Sequence, residues 1–237
     1  MLYYVRLVSV SLYFVLFSFM AMAYSCIRPF HPNNTRTALK FLYPTYWMMN
    51  LKVIPLNDPK IDYPVVYIAN HQDLLDTFYF AKIWPKSCSG VGKQELAWVP
   101  VFGAAFWLAG NIFINRGDKD KAHAVVDQMA EKITRLNRSI FIMPEGTRSR
   151  GKGLLPFKKG AFLTAIKAGV PIVPLCVSST KNVTLSDWAP KPGLIEFLEP
   201  ISTEGLSEKD AERLALECHD LMKAKIAELD DRLAAEY

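Results

Sequence analysis

From Leu7 to Ile27 no charged residue interrupts the chain, and Arg6 and Arg28 flank the run. A helix crosses a bilayer with about 20 apolar residues, so this segment is just long enough. One arginine at each end gives no charge asymmetry to orient it. Ala21-Met22-Ala23 resembles a signal cleavage site. Against a signal peptide, only Arg6 and the α-amine are charged before the run, and Tyr3, Tyr4, Tyr13 and Tyr24 are out of place in one. A second segment, from Thr37 to Val53, is less apolar and more aromatic, with Phe41, Tyr43, Tyr46 and Trp47. Arg36, Lys40 and Lys52 lie around it, and Pro44 should kink it. Rings with basic flanks suit the headgroup level of a membrane. Arg28-Pro29 and His31-Pro32-Asn33-Asn34 mark a turn between the two segments. The pattern predicts a helical hairpin over residues 1–52 dipped into one leaflet, with a single span as the alternative.

Beyond Pro55 short apolar runs alternate with helical periodicity. Strands are expected at Pro64 to Ala69, Ile112 to Ile114, Ser139 to Met143, Pro171 to Val177 and Leu194 to Leu198. Ser89 to Gly92 is a short strand or a turn. Helices are expected at Leu74 to Ile83, Lys119 to Leu136, Phe157 to Ala168 (closed by Gly169) and Ser207 to about Ala235, the last opened by a Ser207–Asp210 capping box. This alternation predicts an α/β fold: one catalytic domain over 53–237, with a mostly buried central sheet flanked by helices.

Apolar residues make up 51% of the chain, and much of the excess sits in the N-terminal run. The net charge of +5 suits an anionic membrane surface or phosphate-bearing substrates. No Lys/Arg run interleaved with aromatics points to nucleic acid. The four cysteines are irregularly spaced with no C-x-x-C pair, and no metal-ligand set is visible.

Two constellations carry chemistry. In Asn70-His71-Gln72-Asp73-Leu74-Leu75-Asp76, the His and the last carboxylate lie five residues apart, about 140° around a straight helix. They meet only if His71 sits on the turn after the strand and Asp76 in the first turn of the next helix. His71 is then a candidate general base for a hydroxyl. The alternative is a capped helix, with Asp73 as cap, Asp76 three residues on and His71 an ordinary turn residue. In Met143-Pro144-Glu145-Gly146-Thr147-Arg148-Ser149-Arg150 a strand runs into a turn rich in Arg and hydroxyls, which suits a phosphate or is simply a solvated basic loop. Gly146 to Lys152 fits G-x4-G-K, but Gly153 stands where a P-loop needs Ser or Thr and no apolar-periodic helix follows. Gly110 to Arg116 and Val170 to Pro174 read as strands, structural when taken alone.

Together and in this order, NHQDLLD, GNIFINR, IMPEGTRSRG and VPIVP resemble the blocks of the glycerolipid acyltransferase family, specifically the bacterial 1-acyl-sn-glycerol-3-phosphate acyltransferases. Asn115 stands where Asp is common and Met143 where Phe is usual. VGKQEL around Lys93 and GLLPFKKGAF around Lys158 also look like family sequence. The resemblance implies that His71 deprotonates the acceptor's 2-hydroxyl, with Asp76 orienting the ring. It implies that Glu145, Gly146, Thr147 and Arg148 line the glycerol-phosphate pocket, with Arg116 and Lys93 as further phosphate contacts. The implied acceptor is lysophosphatidic acid and the product phosphatidic acid, made without a cofactor. The implied donor is an acyl thioester of coenzyme A or of acyl carrier protein. Leu96 to Ala109 would line an acyl tunnel or simply pack as core. The implied place is the cytoplasmic face of the inner membrane, in contact with its lipids. Another lysophospholipid or lyso-aminolipid as acceptor, a non-catalytic lipid binder, and a secreted protein are the rival readings.

Overall fold

The computed structural model describes residues 1–115, 122–181 and 183–236. Arg116, one of the expected phosphate contacts, lies outside the described residues. Among them, seven strands form one mixed sheet in the order β1-β7-β6-β2-β5-β3-β4. The strands are β1 (Leu51–Pro55), β2 (Val66–Ala69), β3 (Cys88–Lys93), β4 (Ile112–Ile114), β5 (Ser139–Ile142), β6 (Ile172–Val177) and β7 (Lys191–Phe197). The five strands from β6 to β4 are mutually parallel, while β7 runs antiparallel to β6 and β1 pairs parallel with β7.

Parallel strands carry helices on both faces, so their residues are apolar on both sides. The side-chain period of two divides them between two cores. Val66 and Ile68 of β2, Ile140 and Ile142 of β5, and Ile172 and Cys176 of β6 face α6 (Ala122–Leu136), α7 (Gly160–Ala168) and α8 (Ala211–Glu236). Tyr67 and Ala69, Phe141, and Val173, Leu175 and Val177 face the other way. That second core is closed by α1 (Leu2–Ile27), α2 (Asn34–Lys40), α3 (Tyr43–Met49), α4 (Asp76–Ile83) and α5 (Phe102–Leu108).

The N-terminal region differs from a simple two-helix hairpin. Pro44 stands in the first turn of α3, where its missing N–H costs nothing, so the second segment breaks into two helices of seven residues each. Asn50 closes α3 in the left-handed conformation at φ 54°, and Leu51 begins the edge strand β1, which the sequence pattern missed. The stretch from Leu96 to Ala109 contains α5, whose Phe102 and Phe106 join Phe14 of α1 and Phe113 of β4 in a chain of ring contacts 5.1 to 5.9 Å apart.

Helix α1 is long and apolar enough to cross a membrane by length and composition. Its exposed face is a stripe of Tyr4, Val8, Leu12, Val15, Leu16 and Phe19. Its buried face holds Arg6, Ser18 and Ser25 with Phe17 and Ala21, so polarity points inward. Arg6 donates to Leu185 O and Asp187 O, and its guanidinium lies 4.6 Å over the Trp188 ring. At the other end Phe30 N donates to Leu108 O at 2.7 Å, and Arg138 bonds Phe30 O. Both ends of α1 are therefore tied to the domain that carries the sheet.

Candidate active site

In open parallel sheets ligands bind beyond the carboxyl ends of the strands. The chain exits at that edge are Asn70-His71 after β2, Met143 to Glu145 after β5, Lys93 at the end of β3, Asn115 after β4 and Ser178 to Thr180 after β6. Adjacent strands lie about 4.8 Å apart, so strand order brings neighbouring exits together although they are distant in sequence.

His71 sits on the turn after β2, and Asp76 is the first residue of α4. This is the one arrangement that lets an H-x4-D spacing close. His71 Nδ1 lies 2.6 Å from Asp76 Oδ2. The same oxygen accepts from Gln72 N at 2.6 Å and Asp73 N at 3.1 Å. An oxygen that takes three N–H donors acts as a carboxylate, which fixes the ring proton on Nδ1 and leaves the lone pair on Nε2. Asp76 is 1% exposed. Burial pushes its carboxyl up, and the hydrogen bond from His71 pulls it back. Helix α4 begins at Asp76 with Leu75 in the N-cap place, so Asp73 caps only the turn before it, its Oδ1 accepting from Leu75 N at 2.7 Å.

The loop of residues 70–75 is clamped from both neighbouring strands. On the β5 side, His71 N donates to Glu145 Oε1 at 2.5 Å, Ser149 N to His71 O at 2.8 Å and Arg150 N to Gln72 O at 3.0 Å. On the β6 side, the Asn70 amide bonds Val177 N and O, and Gln72 bonds Ser178 O and Thr180 N. Thr180 Oγ1 donates to Asp73 Oδ2 at 2.7 Å. Every polar atom of His71 except Nε2 is thus committed, and Nε2 makes no hydrogen bond among the described residues. Gln72 and Thr180 carried no signal in the sequence, because their partners lie more than 100 residues away.

The second turn behaves less uniformly than expected. Glu145 is 3% exposed, and its other oxygen accepts from Leu155 N at 2.9 Å. Burial pushes its carboxyl up, against the pull of these two amides. Gly146 adopts φ 71°, where a Cβ would also come within 2.9 to 3.1 Å of Lys158. The positive φ calls for glycine there, and the end of the Lys158 side chain is brought to the turn. Thr147 and Arg148 are exposed, and Arg148, Arg150, Lys152 and Lys158 make no ion pair among the described residues. Lys93 pairs with Glu95 at 2.7 Å in the open. A cavity of about 140 Å³ is lined by Asn70, Gln72, Glu145, Ser149, Ser179 and Asp230 among others, but by neither His71 nor any of these cations. Among the described residues no three His, Cys, Asp or Glu side chains gather as a metal site.

A family model described as Acyltransferase matches residues 49–178, from β1 through β6 and the chain exits after β2, β3, β4 and β5. The chain belongs to the acyltransferase family, and its chemistry is acyl transfer. Within that family it is 40% identical to the 1-acyl-sn-glycerol-3-phosphate acyltransferase of Haemophilus influenzae, over 99% of both chains. It is 37% identical to the Escherichia coli protein of the same description, over 99% of this chain and 97% of that one. The crystal structure of the 1-acyl-sn-glycerophosphate acyltransferase of Thermotoga maritima shares the fold, with a TM-score of 0.68 at 22% identity, covering 95% and 96% of the two chains. The resemblance read from the four sequence blocks is borne out.

Proposed function

We propose that the chain transfers a fatty acyl group from an acyl thioester, of coenzyme A or acyl carrier protein, to the 2-hydroxyl of 1-acyl-sn-glycerol 3-phosphate. The product is phosphatidic acid, a step of phospholipid synthesis. The observation that carries the reading is the 2.6 Å His71–Asp76 bond at the carboxyl edge of the sheet, with Nε2 as the one uncommitted atom of the ring. Relatives of the same length with that described activity support it.

In this reading Nε2 takes the proton of the acceptor hydroxyl as its oxygen bonds the thioester carbonyl carbon. The carbonyl π pair moves onto oxygen. When that oxyanion collapses the C–S bond breaks, and the leaving sulfur takes the proton back from Nε2. Asp76 holds the tautomer and stabilises the imidazolium between the two transfers. Arg148, with Lys158, Thr147 and Lys93 around the same edge and Arg116 beyond β4, receives the acceptor's phosphate, a group that a guanidinium fork fits well.

Residues 1 to about 52 act as an anchor in the cytoplasmic leaflet of the inner membrane, with the rest as the catalytic domain. At 1.5 Å per residue a 26-residue helix runs about 39 Å. A helix of that length tied to one domain at both ends lies along it, and its outward stripe then meets acyl chains. Leu74, Trp98 and Val99, exposed after β2 and β3, extend the apolar surface to the reaction edge. An acceptor that resides in the leaflet reaches His71 without leaving the lipid.

The test is turnover by the full chain in lipid vesicles, with lysophosphatidic acid against a panel of other lysolipids and with each donor. Phosphatidic acid should form fastest. Faster turnover of a lysolipid lacking the terminal phosphate would move the chain to another acceptor. Lipid binding without turnover would make it a binding protein.

A further inference from the structure

A buried carboxylate is costly unless its oxygens are occupied. Glu145 is buried, and neither of its hydrogen bonds is to a side chain. One oxygen holds the main-chain N–H of His71 at 2.5 Å, and the other holds Leu155 N at 2.9 Å. Leu155 belongs to the loop that runs from Arg148 through Arg150 and Lys152 to Lys158. Glu145 therefore spans two things that must keep a fixed spacing: the backbone of the base and the loop that carries the cations. Its neighbours reinforce the same joint, because Ser149 N and Arg150 N reach back to His71 O and Gln72 O. A group placed to bind substrate would present a free oxygen at the surface, as Arg148 presents its guanidinium. Glu145 has each oxygen on an amide and almost no exposure.

From this, and resting on the reading of His71 as the base, we infer that Glu145 is a positioning residue: it holds the His71 main chain and the cationic loop in one register, and does not bind the acceptor. The acceptor's hydroxyl and its phosphate then meet the base and the cations at a distance set in advance. A misplacement of about 1 Å at such a joint costs about a hundredfold in rate. Loss of the joint should act on kcat and leave the ground-state phosphate contacts intact.

The experiment is steady-state kinetics of the full chain in mixed micelles, with lysophosphatidic acid titrated at saturating palmitoyl-CoA. Glu145→Gln keeps the length of the side chain and one acceptor oxygen, so it can hold only one of the two amides. Glu145→Asp keeps the charge and is one methylene too short to reach both. Each should lower kcat by about tenfold to a hundredfold while the acceptor KM stays within about threefold. Arg148→Ala should give the opposite pattern. An acceptor KM raised tenfold with kcat preserved would make Glu145 a substrate ligand and overturn the inference. Unchanged kinetics would overturn it as well, as would a Gln variant that does not fold, since that residue would be a post for the whole domain. Activity surviving in His71→Ala would instead remove the proposed function on which this rests.

Discussion

His71 Nδ1 and Asp76 Oδ2 sit 2.6 Å apart because the turn after β2 folds back on the first residue of α4, and the Gln72 and Asp73 amides share that oxygen. The pair leaves Nε2 as the atom that can act. His71→Ala should lower kcat by about 10² to 10⁴, the range for a removed general base, with the fold intact. Asp76→Asn should also cut kcat steeply, because the ring loses its tautomer lock. Single-turnover rates decide the matter; more than about a tenth of the parent rate in His71→Ala would sink the assignment.

The same carboxylate should weigh against stability. Its folded-state affinity for the proton is raised by burial, so the native chain binds protons at pH values where the unfolded chain has released them. Stability then falls as pH rises from the unfolded carboxyl value, about 4, through the raised folded one. Asp76→Asn lacks this dependence. The melting temperature of the variant minus that of the parent should therefore move in the variant's favour between pH 4 and neutrality. A difference that moves the other way would mean that hydrogen bonding to the charged form outweighs burial.

Arg148 is exposed and unpaired among the described residues, so its loss should cost little stability. Arg148→Ala should raise the KM for lysophosphatidic acid about tenfold or more, the worth of a charge-assisted contact, with the donor KM unchanged. An effect confined to the donor would place Arg148 at the thioester carrier.

The anchor makes an exposed prediction. A cysteine introduced at Leu2 should label from the same side of the membrane as one introduced at the exposed Lys209 on the catalytic domain, in the cysteine-free background. Labelling from opposite sides would mean that α1 spans and that Arg6 leaves the 185–188 loop.

Gly193 in β7 supports the ring of Tyr79: a Cβ there would lie 2.2 Å from Tyr79 Cε1. Gly193→Ala should destabilise by about 1 to 3 kcal/mol through overpacking. The Tyr79 hydroxyl is buried and makes no hydrogen bond among the described residues. Tyr79→Phe should therefore be neutral or stabilising, within about 1 kcal/mol. Chemical denaturation of both variants checks the pair, and a stable Gly193→Ala would mean that the α4–β7 contact yields easily.

Much of this arrangement was legible in local pattern. Apolar runs of four to six residues between helical stretches marked β2, β5 and β6, because strands buried on both faces must be apolar at every position. Ser207 and Asp210 announced the start of the last helix, since a capping box is made within four residues, and the two are joined as expected. The ordered blocks around His71, Arg116, Glu145 and Pro171 gave the family. Elements whose stability comes from distant partners were harder to read. The strand Leu51–Pro55 read as the tail of an aromatic helix, because what makes it a strand is β7, about 140 residues later. The glycines of β3 left a strand and a turn both open, because only the folded chain lays the Trp84 and Phe106 rings over Gly90 and Gly92.

The sequence by itself determined which residue types could do the chemistry, that an apolar segment precedes an α/β unit, and where most strands lie. These follow from composition and from periods of 2 and 3.6 residues, which are local properties of the backbone. The tertiary structure alone decided that the five-residue His71–Asp76 spacing closes at a strand–helix turn, and that Glu145 spends its oxygens on two main-chain amides. It alone laid α1 along the domain, with Arg6 turned inward. Each of these is a hydrogen bond or contact between groups that strand order brings together, and strand order is set by how the two cores close, which no local window of residues contains.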